Sequence, residues 1–237
     1  MLTLRKVLSS LGLLAIAGVV QAAPIILNGD HFTVSYDDNQ VGLYKSGLMS
    51  GSMDTVYFQP TSFSAFSAGA PASKTSSLQL SFNIAPGYVF TDLTFMGRGS
   101  YFLSGGGSVN VNSSVQATNQ DTGDFVLLDL APGSPLAQTG SHFWEISGPL
   151  SLLGLGAPQS VKITLDTELF STPVNGLGFI RNTYAGFRIT TAAAPAAVPE
   201  PAGWALILIG LMAATFVGMG RKRSPGMRFI NSNVINS

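Results

Sequence analysis

Hydrophobic and polar residues alternate with a period of two along several stretches of the chain. Leu78, Leu80, Phe82 and Ile84 are interleaved with Gln79, Ser81 and Asn83, which gives an extended strand one apolar and one wet face. Pro86-Gly87 follow, and Val89, Thr91, Leu93 and Phe95 come next, so the pattern predicts a β-hairpin with aligned apolar faces. Val109, Val111, Val115 and Ala117 alternate with Asn110, Asn112, Ser114 and Gln116 after the Gly105-Gly106-Gly107 triplet. Val161, Ile163, Leu165, Thr167 and Leu169 form a third apolar face, with Lys162, Thr164, Asp166 and Glu168 outward. Weaker alternation marks Phe32 to Tyr36, Met53 to Phe58, Phe63 to Ser67, Tyr101 to Leu103, Phe125 to Leu130, His142 to Ser147, Leu177 to Ile180 and Tyr184 to Thr190. These add up to roughly ten to twelve short strands with turn signals between them. No stretch of this region has the 3.6-residue period of an amphipathic helix. The expected fold is all-β: an antiparallel β-sandwich, jelly-roll-like, over residues 23–191.

The two ends follow another rule. Arg5 and Lys6 precede an apolar stretch from Val7 to Val20 and a small-residue signature, Val20-Gln21-Ala22. This reads as a secretory signal peptide over residues 1–22, cleaved between Ala22 and Ala23. Near the other end, Val198-Pro199-Glu200-Pro201 leads into an uncharged run from Ala202 to Gly220, closed by Arg221-Lys222-Arg223. Roughly 19 residues at about 1.5 Å each span about 28 Å, enough to cross a bilayer core. The basic triplet places the tail, residues 224–237, in the cytoplasm and the bulk of the chain outside. Residues 192–198, rich in Ala and Pro, read as a stalk.

The stretch from Val198 to Arg223, with Pro199-Glu200-Pro201, then Trp204, Gly210 and Gly220 in the apolar run and Arg221-Lys222-Arg223 at its end, resembles the PEP-CTERM sorting signal of Gram-negative bacteria. That resemblance implies an exported protein handed to an exosortase, a membrane transpeptidase-like enzyme, often in company with exopolysaccharide. It also implies that Pro199, Glu200 and Pro201 are what the sorting machinery reads. The chain departs from the family pattern in continuing from Ser224 to Ser237 past the basic cluster. The region from Tyr88 to Val115 loosely resembles exported β-domains that precede such signals.

Charge is uneven under a net of zero. Between Ala23 and Val198 the basic residues are Lys45, Lys74, Arg98, Lys162, Arg181 and Arg188, outnumbered by acidic ones, so the exported part is mildly acidic. Such a surface offers nucleic acid no electrostatic footprint. With no cysteine in the chain, neither disulfides nor thiol chemistry contribute, and stability must come from packing. Twenty-seven glycines with many Ser and Thr favour strands and tight turns.

Candidate chemistry is sparse. No serine has glycine on both sides as a hydrolase elbow requires. The histidines are His31 and His142. His31 falls on the outward face of its strand. His142 shares a face with Trp144 and Ile146, while Glu145 points away, so a hydrolytic or metal role for His142 with Glu145 needs a bulge to bring them together. Asp37-Asp38-Asn39 and Asp121 with Asp124 start like calcium loops but lack the remaining oxygen ligands, and read as turn-forming acids. Gly97-Arg98-Gly99 and Gly105 to Gly107 read as hairpin turns, since neither opens a helix. Tyr88 and Phe90, outward in the second hairpin strand, are candidates for a sugar-stacking platform, although a packed second sheet would bury them as naturally. The expectation is an exported, non-enzymatic protein with no cofactor and no metal. It is anchored in the inner membrane by a single span and, after processing, found in the envelope or exopolysaccharide matrix. A glycan-binding module is the alternative, and a hydrolase a more distant one.

Overall fold

The computed structural model describes residues 23–195 together with positions 207, 209, 211 and 212. The chain separates into two compact units, Met1–Ala194 and Pro195–Ser237. In the second, Ile207, Ile209, Leu211 and Met212 are helical and exposed. Among the described residues no helix is long and apolar enough to cross a membrane. The expected leader (residues 1–22), the Pro199-Glu200-Pro201 motif, Trp204, Gly210, Gly220, the Arg221-Lys222-Arg223 triplet and the expected tail lie outside the described residues.

The first unit is all-β. Its strands are β1 (Ile25–Asn28), β2 (Phe32–Tyr36), β3 (Gly47–Met49), β4 (Thr55–Phe58), β5 (Ser64–Ala68), β6 (Ala72–Ile84), β7 (Tyr88–Asn119), β8 (Phe125–Leu130), β9 (Gly140–Ser151) and β10 (Ser160–Ala193). All pairings are antiparallel within a single ten-stranded sheet. β7 and β10, of 32 and 34 residues, pair with each other along nearly their whole length. Their other neighbours differ at the two ends of this ribbon. Along Ser160–Ser171, β10 is flanked by β6, and β7 carries β8 on its other side. Beyond the bend, β10 meets β5 and β4, and β7 meets β9.

The bend lies where Asn175 and Gly176 face the single residue Gly105, a bulge flanked by left-handed backbone at Asn175, Gly105 and Gly107. A residue with a β-carbon is strained in that region, and glycine is not. The sheet therefore curls, and its two halves meet across one interior. Tyr36 of β2 packs edge-on against Phe58 of β4 at 5.7 Å, and its hydroxyl oxygen accepts from the Gly47 amide at 2.8 Å. Leu128 and Leu130 of β8 lie over Gly148 of β9. A single cluster of buried residues, rich in Phe, Leu and Val, fills the space between. The inward faces predicted at 78–84, 109–117 and 161–169 are all buried. Their two polar members, Ser113 and Thr167, satisfy one another at 2.9 Å.

Three expectations are corrected by the register. Pro86-Gly87 do turn the chain, with Gly87 at φ +85, but β6 and β7 do not pair. Both edges of β6 are taken, by β2 and β10, so the turn instead delivers β7 to the opposite half. The Gly97-Arg98-Gly99 and Gly105 to Gly107 stretches are not hairpin turns; they lie within β7. Gly99 faces inward opposite Trp144, and the indole occupies the room left there. A β-carbon on Gly99 would overlap the Arg181 carbonyl oxygen and stand 2.6 Å from the indole ring. Finally, β10 continues through Ala192 and Ala193, the first residues of the expected stalk, and the Ala194 amide donates to the Gly87 carbonyl at 2.8 Å.

Gly99→Ala is expected to destabilise the domain by about 3 kcal/mol through overpacking against backbone and indole, read as a lowered denaturation midpoint. Gly133→Ala, in open space, should leave that midpoint unchanged. Equal stability of the two variants would refute the packing described for Trp144.

Candidate functional site

Of the two readings of Tyr88 and Phe90, a sugar platform or a strand buried by packing, Phe90 follows the second. Phe90 is 1% exposed. The alternation that placed it outward is broken by a bulge, because Thr190 pairs Asp92 and Thr191 pairs Phe90, leaving Thr91 as the extra residue. One extra residue reverses the facing of everything beyond it. Tyr88 is half-buried and stacks on His31, ring centroids 3.7 Å apart. His31 in turn lies 3.3 Å from the Asp30 carboxylate.

His142 and Glu145 point apart. The His142 ring Nε2 lies 2.9 Å from the Thr139 carbonyl, and the ring sits over Tyr101 at 5.4 Å. Glu145 accepts from Arg98 Nε at 2.9 Å, and the Arg98 guanidinium stacks over Tyr184 at 5.8 Å. Both side chains are thus held in separate structural contacts. The acidic loops cap turns: Asp37 accepts from the Asn39 amide at 2.9 Å, and Asp124 accepts from the Thr122 hydroxyl at 2.7 Å. Among the described residues no group of three or more His, Asp or Glu is placed to hold a metal ion.

Two outward faces stand out, one on each half of the curled sheet. The first crosses β6, β10, β7 and β8, where the register aligns Ser77, Asp166, Ser114 and Asp129 in one row and Thr75, Glu168 and Asn112 in the next. They line a groove of about 780 Å³ that contains three carboxylates and no cationic or aromatic side chain. The second crosses β9, β7, β10 and β5. One row reads Phe143, Ser100, Arg181, Ser64 and the adjacent row Ser141, Phe102, Phe179, Phe66. Phe143 is 88% exposed, Phe66 59% and Phe102 37%. Two depressions, of about 310 and 350 Å³, adjoin on this face and share Phe179 and Arg181.

Local structure explains how Arg181 is held. Thr183 is the extra residue of a bulge between Asn182 and Tyr184. The Arg181 carbonyl accepts the Trp144 indole N–H at 3.1 Å from inside, while Arg181 Nε donates to Ser100 Oγ at 2.9 Å outside. The buried Asn182 side chain accepts from the Tyr184 amide at 3.0 Å and fixes the bulge. Among the described residues Arg181 has no carboxylate partner, whereas Arg98 and Arg188 are paired with Glu145 and Asp54.

Asp54 shows what a purely structural carboxylate looks like here. The Ser52 hydroxyl foremost holds its carboxyl below the usual range; burial opposes this, and the hydroxyls of Thr55 and Ser50 with Arg188 add to the lowering. Burial raises the Tyr184 phenol, and Arg98 opposes this.

No protein-family model and no curated protein sequence matches the chain. Among solved structures it overlaps "Structure of infectious bursal disease virus Gt strain" at a TM-score of 0.31 and 11% identity, covering 78% of this chain and 57% of that one. It overlaps "Structure of infectious bursal disease virus Gx strain" at 0.28 and 11%, covering 71% and 50%. The chain thus spans about half the length of these structures, and overlaps of this size add nothing to the architecture read from the strand register.

A depressed carboxyl pKa contributes stability that is present above the unfolded value and lost as pH falls through the folded one. Asp54→Asn should therefore lower the denaturation midpoint near pH 6. The difference from the parent chain should shrink as pH falls below about 3.8. A difference independent of pH would show that the Asp54 charge is not what its hydroxyl partners stabilise.

Proposed function

We propose that this chain is an exported, non-enzymatic protein of the cell envelope or the exopolysaccharide matrix, sorted and processed through residues 199–223. The observation that carries this reading is the order Pro199-Glu200-Pro201, uncharged run, Arg221-Lys222-Arg223 following a leader and a folded β-domain. The domain itself is taken as a jelly-roll-like β-sandwich, the two halves of the curled sheet serving as its layers. A non-enzymatic role is supported by the separation of His142 from Glu145, each engaged in a contact that secures the fold.

In this reading the span formed by the run around Trp204, Gly210 and Gly220 holds the precursor in the inner membrane. An exosortase-type enzyme acts near Pro199-Glu200-Pro201, and the domain is then released or transferred. The folded domain ends at the Ala194–Gly87 hydrogen bond, so a cut beyond it leaves the strand pairing whole.

Terminal-peptide mapping of the native protein from membrane and extracellular fractions tests the proposal. It predicts an N-terminus at Ala23 and an extracellular form lacking everything beyond about Pro201. A full-length C-terminus recovered solely in membranes would overturn the processing step. Replacing Arg221, Lys222 and Arg223 by neutral residues should weaken the orientation of a reporter fused at Ser224; unchanged reporter topology would contradict the assigned role of the triplet.

A further inference from the structure

The geometry points to a binding trough for an acidic polysaccharide, a polyuronate, across the outer face of β9, β7, β10 and β5. The site is made by register: four strands distant in sequence bring Phe66, Phe102, Phe143 and Phe179 into two adjacent rows around Arg181. A row of four strands is about 14 Å wide at the usual strand spacing, the scale of an oligosaccharide. The two depressions adjoin at Phe179 and Arg181, so the concavity runs on both sides of the cation.

The chemistry selects the ligand. A sugar ring has an apolar C–H face, which exposed aromatic rings cover, and a polar edge, which the hydroxyls of Ser100 and Ser141 and the guanidinium can bond. Phe143, at 88% exposure in mid-strand, is in the wrong phase for the core and has no packing role. Arg181 is the one cation in this pair of rows and, among the described residues, it pairs with no carboxylate. Its Nε is tied to Ser100, which leaves the terminal nitrogens of the fork for a ligand carboxylate. The opposite half of the sheet presents Asp129, Asp166 and Glu168, which would repel the same polymer, so binding is confined to one face. This inference deepens the matrix reading and rests on it only for where the glycan is met.

The test uses the full-length protein in detergent micelles, titrated with polygalacturonate oligomers and separately with dextran oligomers, and followed by calorimetry and tryptophan fluorescence. Trp144 reports because its indole is bonded to the Arg181 carbonyl. Saturable binding of the polyuronate and not of dextran is expected, weakening with added salt. Arg181→Gln should weaken it about tenfold or more, as loss of a charge-assisted hydrogen bond does. Phe143→Ser should weaken it also, and Asp166→Asn, on the other face, should not. Folding of each variant is checked by its denaturation midpoint. Absence of polyuronate binding, or binding indifferent to Arg181→Gln in a folded protein, would overturn the assignment. So would concentration-dependent self-association that Phe143→Ser abolishes with no glycan bound, since the face would then belong to a second copy. Because binding is read in micelles, its failure leaves the terminal mapping untouched, and a failure of processing leaves the binding result standing.

Discussion

β7 and β10 pair from Tyr88 opposite Ala193 to Asn119 opposite Val161, and every other strand is attached to that ribbon directly or through a neighbouring strand. Strands β4, β5 and β6 join it along β10, and β8 and β9 along β7. Bringing together two segments this far apart in sequence carries a loop-closure cost that only a long run of pairings and a shared core can offset. The core supplies it: Phe95 lies against Phe187 with centroids 5.3 Å apart, and both are fully buried. Each such side chain contributes roughly 1.5–3 kcal/mol by burial. The curl then follows from one bulge and the left-handed positions beside it, which turn the ribbon back on itself.

Bulges in this ribbon also decide what faces outward. At Asn182–Tyr184 an extra residue reverses the facing of β10, so that Ala185, Phe187 and Ile189 continue inward where strict alternation from Ile180 would have put their neighbours. The same irregularity directs the Arg181 carbonyl to Trp144, on the inside, and the guanidinium outside. The candidate trough is therefore coupled to the core through the glycine at 99, which makes room for the indole. A rigid backbone on one side of the sheet positions a cation on the other.

Alternation is legible wherever the strands are regular. Leu78 to Ile84, Val109 to Ala117 and Val161 to Leu169 are buried as their period indicates, because a strand with one buried face must keep step. It misled at each bulge. β10 reads as three strands in sequence because its phase changes at Asn175–Gly176 and at Thr183, and Phe90 reads as outward because Thr91 is extra. The Pro86-Gly87 hairpin was a local inference, whereas β6 already had both edges occupied by strands that sequence order does not reveal. Of the aromatic trough the sequence held a faint signal, since Phe102 and Phe143 fall out of phase with the buried residues beside them. What it could not show was that β5, β7, β9 and β10 lie side by side. The proposed sorting segment is the reverse case, since its reading rests on order and composition alone.

Hydrogen exchange of backbone amides tests most directly whether the β7–β10 ribbon is the unit on which the domain depends. Amides of 93–103 and 109–119 in β7, with their partners in β10, are expected to form one slowest-exchanging group that opens together under mild denaturant, while β1 and β3 exchange faster. If residues 88–104 opened independently of 108–119, the two halves would be separate cooperative units, and the continuous ribbon would not be what holds the fold together.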